Sequence, residues 1–291
     1  MARGTILVVG GTGMLGAPVA RRLAAEGYAV RVLTRNARRA RTTLAAPITL
    51  AAGDVADAAS IERAMEGCAG VHINLDGHGD WSLEPRGAAV VAAAAARLRL
   101  RRITCISGTT ACEANARFPM ARAKLDAERA VRDSGVPFTI FRCSMFMETL
   151  PLLVRGGRAI IMGSQPAPWR WLAASDYAAM VARAFVTGAA RDKTLVVFGP
   201  EPWTMEAALE RYRSVCVPEA KLTRIPFWVL SLMALAPGRS ELRRHGLPMM
   251  RYFSQVREAG DPSEADALLG TPATTLEAWC RRRATAPADL R

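Results

Sequence analysis

The sequence predicts an α/β fold built on a doubly wound parallel sheet, and three observations carry that expectation. Short apolar runs alternate with helical patterns along the N-terminal two thirds of the chain. The earliest run, Ile6 to Val9, turns through closely spaced glycines straight into an amphipathic helix. The next run, Ala29 to Leu33, follows at the spacing that a right-handed crossover between parallel strands requires.

The opening turn reads Gly10-Gly-Thr-Gly-Met-Leu-Gly16, with Gly10, Gly13 and Gly16 at G-x-x-G-x-x-G spacing. The first glycine permits a tight turn, the second lets backbone approach a pyrophosphate, and the third lets the helix pack closely on the strand. The loop amides, those of Thr12, Met14 and Leu15 included, and the positive end of the helix then face an anion. That helix carries Leu15, Val19, Ala20, Leu23 and Ala24 on one face and ends at Gly27, a residue suited to the position after a helix. The cofactor expected here is a dinucleotide.

Strand two ends in Thr34-Arg35-Asn36, with Arg38, Arg39 and Arg41 close behind. A site for NADH usually places a carboxylate about 20 residues past the glycines to hold the ribose 2′-hydroxyl. Thr34 and Arg35 stand there instead, and an arginine fork suits a 2′-phosphate that a carboxylate would repel. NADPH (NADP) is therefore expected over NADH, against the alternative that Arg35 is one more arginine in an arginine-rich chain.

Strand three, Ile48 to Ala51, leads to Gly53-Asp54-Val55, where Asp54 and Val55 face the adenine end; a turn or capping role explains Asp54 nearly as well. A helix over Ser60 to Glu66 follows. Strand four, Val71 to Leu75, brings Asn74 to the cofactor edge and holds His72, read as a hydrogen-bonded core histidine. His78, in the turn after it, is a candidate for substrate contact. After an alanine-rich helix from about Gly87 to Leu98, strand five, Arg102 to Ile106, delivers Ser107 to the carboxyl edge, where open α/β sheets bind ligands. The next helix begins near Pro119 and contains Met120 and Lys124; strand six is Pro137 to Arg142.

Beyond it, Ser144, Met145 and Phe146 are expected on the substrate side of the nicotinamide, with the Met and Trp residues up to Trp171 forming either an adaptable pocket or plain core. A further helix runs through Val186 and a strand covers Thr194 to Phe198. From Trp203 onward the pattern is helical: Thr204 to Val215, Phe227 to Ala236, Glu241 to Val256, Pro262 to Leu269 and Leu276 to Arg283. The apolar Phe227 to Ala236 segment could cap the pocket, pack into the core or form an oligomer face, and core packing ranks first. The domain expectation is residues 1–199 as the NAD(P)-binding domain, with 143–175 contributing to the substrate pocket, and 200–291 as a small, mostly helical substrate lobe.

A formal charge of +13 raises the question of nucleic acid, yet of 39 basic residues only Lys124, Lys193 and Lys221 are lysine, and the arginines are spread rather than gathered into a tract with aromatics. Solvated arginines are the better reading, and no nucleic-acid partner is expected. The six cysteines are scattered without a C-x-x-C pair, and the three histidines form no ligand set, so reduced thiols and no metal are expected. The first apolar run is too short for a signal peptide, and Phe227 to Ala236 is too short to cross a bilayer, which needs about 20 residues. The expectation is a cytoplasmic protein with no membrane partner; a homodimer is left open.

The glycine start, the Gly53-Asp54-Val55 turn, Ser107, the Lys124-x-x-x-Glu128 helix and Ser134-Gly-Val-Pro-Phe-Thr-Ile-Phe-Arg142, in this order, resemble the NmrA-like group of atypical short-chain dehydrogenases/reductases over about residues 4 to 200. The resemblance implies a Rossmann domain with a small C-terminal lobe. It also implies NADPH-dependent reduction of quinones and related compounds, or NADP binding without turnover, as in regulatory, sensor or assembly proteins.

One departure matters more than the agreement. The wider family carries Ser, then Tyr about a dozen residues on, then Lys four beyond; here Ser107 and Lys124 stand in place but the tyrosine position is Met120. A thioether has no acidic proton, so Met120, expected on the substrate side, cannot act as the general acid. What survives is a hydride donor with one hydroxyl and one ammonium beside it. The resemblance gives Lys124 the nicotinamide ribose and puts Ser107 near the reacting oxygen; a solvated lysine and a turn-capping serine are the competing readings. Tyr177, Tyr212 and Tyr252 stand as sources of an acid from elsewhere in the fold. Transfer without a phenol is easiest to a conjugated aromatic or quinone-like acceptor, whose product anion is weakly basic. The setting implied by analogy is tailoring of aromatic natural products, with the reduced quinone feeding an oxygenation.

Overall fold

The structure, a computed structural model, describes residues 3–77, 80–236 and 238–285; His78 lies outside the described residues. The chain divides into two compact units. One comprises Met1–Cys143, Ala174–Val197 and Gly260–Thr271; the other comprises Ser144–Ala173, Phe198–Ala259 and Pro272–Arg291. The division is interleaved where a sequential one was expected: residues 144–173 group with the second unit, and 260–271 return to the first.

The first unit is a seven-stranded parallel sheet flanked by helices. Its strands are β1 (Thr5–Val9), β2 (Ala29–Thr34), β3 (Thr49–Ala52), β4 (Cys68–Ile73), β5 (Arg102–Gly108), β6 (Phe138–Cys143) and, after an excursion into the second unit, β10 (Lys193–Val197). Their order is β10-β6-β5-β4-β1-β2-β3, so the chain winds outward in both directions from β1 and β4, as the sequence predicted for a Rossmann-type fold. Central strands read as apolar runs because helices cover both faces: Ile6 to Val9 and Arg102 to Ser107 are buried.

The helices are α1 (Gly16–Ala25), α2 (Ala37–Thr43), α3 (Ala58–Met65), α4 (Leu83–Arg97), α5 (Pro119–Asp133), α6 (Ala174–Ala184) and α10 (Ser263–Leu269). Local chemistry sets their ends. Asn36 caps α2 through the Arg39 amide and Asp57 caps α3 through that of Ala59, both at 3.0 Å, while Pro119 opens α5 with its fixed φ. Alanines on α4 let it pack closely on α5, and α1 packs on α6.

The second unit holds β7 (Val154–Arg155), β8 (Arg158–Met162) and β12 (Lys221–Ile225) in a small sheet of order β12-β8-β7, and β9 (Trp169–Arg170) paired with β11 (Pro202–Trp203). Its helices are α7 (Met205–Cys216), α8 (Phe227–Leu235), α9 (Leu247–Gln255) and α11 (Leu276–Thr285). The all-helical reading beyond Trp203 is corrected by β12, whose five residues pair in parallel with β8, about sixty positions earlier. The core-packing reading of Phe227 to Ala236 is corrected too. Only Leu230 and Ala234 are buried, and Trp228, Leu232 and Leu235 face solvent, because a helix apolar on every side cannot bury all of them against one neighbour.

Among the described residues no helix is long and apolar enough to cross a membrane, no cluster of three or more His, Cys, Asp or Glu could hold a metal, and the six cysteines form no disulfide.

His72 is the core histidine the sequence suggested. It is fully buried, with Nδ1 2.9 Å from the Thr104 hydroxyl and Nε2 3.5 Å from that of Tyr177. Burial pushes its pKa down to about 3. A pKa lower in the folded than in the unfolded chain stabilises fully above the unfolded value of about 6.5, and that stability is lost as pH falls toward 3. Denaturant unfolding should therefore show wild type losing about 1.4 kcal/mol per pH unit below pH 6.5 relative to His72→Asn; parallel curves for the two proteins would contradict this.

Candidate functional site

The carboxyl edge of the first unit is built around contacts that only glycine permits. Gly10 has φ +79°, and a Cβ there would fall inside the Asn74 carbonyl group; a Cβ at Gly16 would fall inside the Gly10 carbonyl. These approaches pull α1 tightly against β1 and β4. Gly13 differs: its Cβ would touch only the Gly10 oxygen, at 3.3 Å, and otherwise project into open space. Its amide closes the turn onto Gly10 O at 3.1 Å, whereas those of Thr12, Met14, Leu15 and Gly16 donate to no backbone carbonyl among the described residues. No side chain caps α1 and its first turn has no carboxylate, so the positive end of the helix stands open beside exposed Thr12, Gly13 and Met14. The Oδ1 of Asn74, buried at the same edge, has no hydrogen-bond partner. A backbone cradle and an orphaned acceptor fit a phosphate-linked dinucleotide.

After β2, Thr34 is buried and its hydroxyl is tied to the Asn36 amide at 3.1 Å, so it shapes the turn. Arg35, Arg38 and Arg39 are exposed, and no carboxylate lies within 4 Å of them among the described residues. Asp54 accepts from the Ala56 amide at 3.0 Å and Val55 is buried, which gives Asp54 the turn role while leaving its second oxygen available.

Two buried charge networks flank the cradle. Ser107, at the end of β5, donates to Glu128 Oε1 at 2.6 Å. The same carboxylate takes Arg142 from β6 at 2.9 and 2.8 Å and Arg132 from its own helix at 2.7 Å. Burial alone would raise the Glu128 pKa, but these donors outweigh it and hold it below the usual carboxylate value. The Ser107 proton is thus committed, and its lone pairs are what it can offer a ligand. Lys124, one turn before Glu128, binds Glu84 on α4 at 2.7 Å. Burial alone would lower the Lys124 pKa, but the Glu84 carboxylate beside it prevails and holds it above the ordinary lysine value, so the ammonium stays charged. One of its three donors serves Glu84, leaving two for ligand hydroxyls.

Met120 stands one turn before Lys124 on the same stripe of α5. None of the four tyrosines replaces it as an exposed acid. All are buried, and burial raises the phenols of Tyr28, Tyr177 and Tyr212, opposite to what an acid near neutral pH needs.

Ser144, Met145 and Phe146 belong to the second unit. There Ser144 donates to Glu258, the Met145 carbonyl accepts the Leu172 amide at 2.9 Å, and Phe146 is buried. Trp169 and Trp171 are core, with Trp171 Nε1 on the Trp203 carbonyl at 3.0 Å. Glu84 escaped the sequence reading: it lies forty residues from Lys124, and its only local signal is a lone carboxylate opening an alanine-rich helix.

A parallel sheet of this order with a glycine cradle at its switch point defines a dinucleotide-binding protein. Residues 10–168 match the family described as NAD(P)H-binding, and the chain belongs to it. It is 34% identical over 295 residues to (4-alkanoyl-5-oxo-2,5-dihydrofuran-3-yl)methyl phosphate reductase of Streptomyces griseus, covering 97% of this chain and 98% of that one. It is 24% identical over 249 residues to photosystem II assembly factor Ycf39 of Trieres chinensis, covering 79% and 75%. Among solved structures it shares the fold of Citrobacter sp. triphenylmethane reductase complexed with NADP(H), at TM-score 0.75 and 20% identity over 96% and 99% of the two chains. The family match and this shared fold agree with the Rossmann-type architecture that the sequence resemblance implied.

The glycines should separate in mutagenesis. Gly16→Ala forces a Cβ into backbone and should cost about 2–3 kcal/mol in denaturant unfolding. Gly13→Asp should leave folding intact while weakening NADPH binding by about 100-fold or more, through charge repulsion in the cradle; equal NADPH affinity in Gly13→Asp and wild type would place the cofactor elsewhere.

Proposed function

We propose that this chain is an NADPH-dependent reductase acting on electron-poor conjugated small molecules, quinones or enones. One observation carries the reading: the stripe of α5 bearing Lys124 bears a thioether one turn earlier, and all four tyrosines are buried. When bound, a reduced nicotinamide dinucleotide supplies the hydride. The loop amides and the α1 N-terminus hold its pyrophosphate, Arg35 the 2′-phosphate, Asn74 and Asp54 neighbouring polar groups, and Lys124 the nicotinamide ribose. Ser107 accepts a hydrogen bond near the reacting oxygen, and Met120 lines the acceptor's side.

The chain's own residues set the choice of acceptor. Met120 has no proton to give, the Ser107 proton is held by Glu128, and Lys124 is kept charged by Glu84. Reduction of a saturated ketone would leave a strongly basic alkoxide with no positioned acid. Reduction of a quinone or enone leaves a hydroquinone anion or enolate, stabilised by conjugation and by the Lys124 charge, which takes its proton from water. The Streptomyces griseus relative supports this, since its name describes a ring alkene conjugated to two carbonyl groups. The tailoring of conjugated natural products is the setting this reading favours.

A second reading, an NADP-binding assembly or sensor protein without turnover, draws on the assembly-factor relative and the missing phenol. The two separate on NADPH oxidation, followed by absorbance with a panel of simple quinones and enones. Turnover that is abolished in Gly13→Asp and retained in Met120→Ala supports the reductase; tight NADPH binding without oxidation by any acceptor overturns it. In the same assay Arg35→Asp should lower the preference for NADPH over NADH by about 10- to 100-fold, and an unchanged ratio would remove Arg35 from the 2′-phosphate.

A further inference from the structure

At the opposite, amino-terminal edge of the first unit's sheet the chain forms a second cavity, of about 290 Å³. Four arginines surround it: Arg3 ahead of β1, Arg101 and Arg102 at the start of β5, and Arg191 ahead of β10. Its floor is apolar and aromatic, with the rings of Tyr28 and Phe185 inclined at 56° and 6.0 Å apart. It is separated from the glycine cradle by the length of β1.

The charges here are not balanced. Arg102 is only 4% exposed and donates to the Thr139 hydroxyl at 2.8 Å and the Thr187 carbonyl at 3.2 Å, which uses part of a guanidinium with five N–H groups. No carboxylate lies within 4 Å of Arg101, Arg102 or Arg191 among the described residues, and the side chains of Arg101 and Arg191 make no hydrogen bond there. Of the nearby acids, Glu26 is shared by Arg3 at 3.6 Å and Arg22 at 2.7 Å, and Asp192 accepts the Phe138 amide at 3.2 Å. Burial, and then the Arg191 charge, press the Arg102 pKa below the ordinary arginine value. The Tyr28 hydroxyl is sealed from water with the Arg3 guanidinium as its neighbour.

Helix ends explain a part of this. The Thr187 carbonyl lies just past α6, where a cation complements the negative end of the helix. Asp192 attracts Arg102 through space without bonding it, which leaves Arg101 and Arg191 unpaired among the described residues and the cavity with a surplus of positive charge. An anion supplies what is missing, and guanidinium forks match phosphate oxygens in geometry. Arg3 already lies over the buried Tyr28 ring, 5.7 Å from its centre, so half-buried Phe185 is the ring that a flat guest can meet. The volume, at the small end of the roughly 300–1,000 Å³ usual for ligand pockets, limits the guest to about the size of a mononucleotide.

We propose that this amino-edge cavity binds a small phosphorylated molecule carrying a planar ring, the phosphate on the arginines and the ring on Phe185. The test uses the full chain saturated with NADPH, so that the glycine cradle is filled, and titrates it calorimetrically with adenosine 5′-monophosphate and with inorganic phosphate. One equivalent of the nucleotide should bind, more tightly than inorganic phosphate, and about ten-fold or more weakly to Arg101→Ser/Arg191→Ser, with NADPH affinity unchanged. Both substituted positions are exposed, and Val186→Trp, at an exposed wall of the cavity, gives an independent fluorescence readout of the same event. Absence of binding to the NADPH-saturated protein, equal affinity for inorganic phosphate, or full affinity in the double variant would overturn the proposal.

Discussion

The close approach of backbone to backbone at the carboxyl edge is the constraint on which the rest of the first unit depends. Gly10 lies against the Asn74 carbonyl and Gly16 against the Gly10 carbonyl, so no side chain larger than hydrogen is tolerated at either position. This locks α1 onto the two central strands, with the amides of Thr12, Met14, Leu15 and Gly16 bonded to no backbone carbonyl among the described residues and the unsatisfied Asn74 oxygen at the same edge. A cradle of this kind has little reason to exist without a phosphate: its amides and dipole are the features an anion satisfies, and a carboxylate in the first helical turn, which would compete, is absent.

Two carboxylates position the chemistry next to that cradle in different ways. Glu128 gathers Ser107, Arg132 and Arg142 and so ties the ends of β5 and β6 to α5. Glu84 reaches from α4 to the ammonium one turn earlier on the same helix. Lys124 is therefore fixed from both sides, its position by the helix that Glu128 anchors and its charge by Glu84. With a thioether at Met120, what remains is a fixed positive charge and no loosely held proton. In the function proposed above, such a site would stabilise an anion that forms beside it without neutralising it, which would limit the acceptors it could serve.

The parts legible in the sequence were those set by contacts close along the chain. The glycine turn, the helix after it, the succession of strands and helices along the first unit and the core position of His72 could be read because periodicity, glycine spacing and a lone polar residue in an apolar strand each act within a few residues. Glu84 could not be read, since its partner lies forty positions away and nothing local distinguishes it from a helix-opening acid. The β8 and β12 strands are five residues each and gain their stability from each other across the sequence. The exposure of α8 was hidden for a related reason: an all-apolar segment states that it avoids water without stating how much of it finds a neighbour. Interleaving of the two units is likewise a property of the folded chain, in which 260–271 rejoins the first sheet through α10 and β10.

The central claim is that a fixed cation without a proton donor restricts reduction to acceptors whose products tolerate negative charge. The most direct measurement compares NADPH consumption with a cyclic enone and with the saturated ketone of the same ring under identical conditions. The enone should be reduced at its carbon–carbon double bond, with the saturated ketone consumed at least about 100-fold more slowly, the range a positioned general acid usually contributes. Comparable turnover of the two would mean that an acid is present and that the claim is wrong.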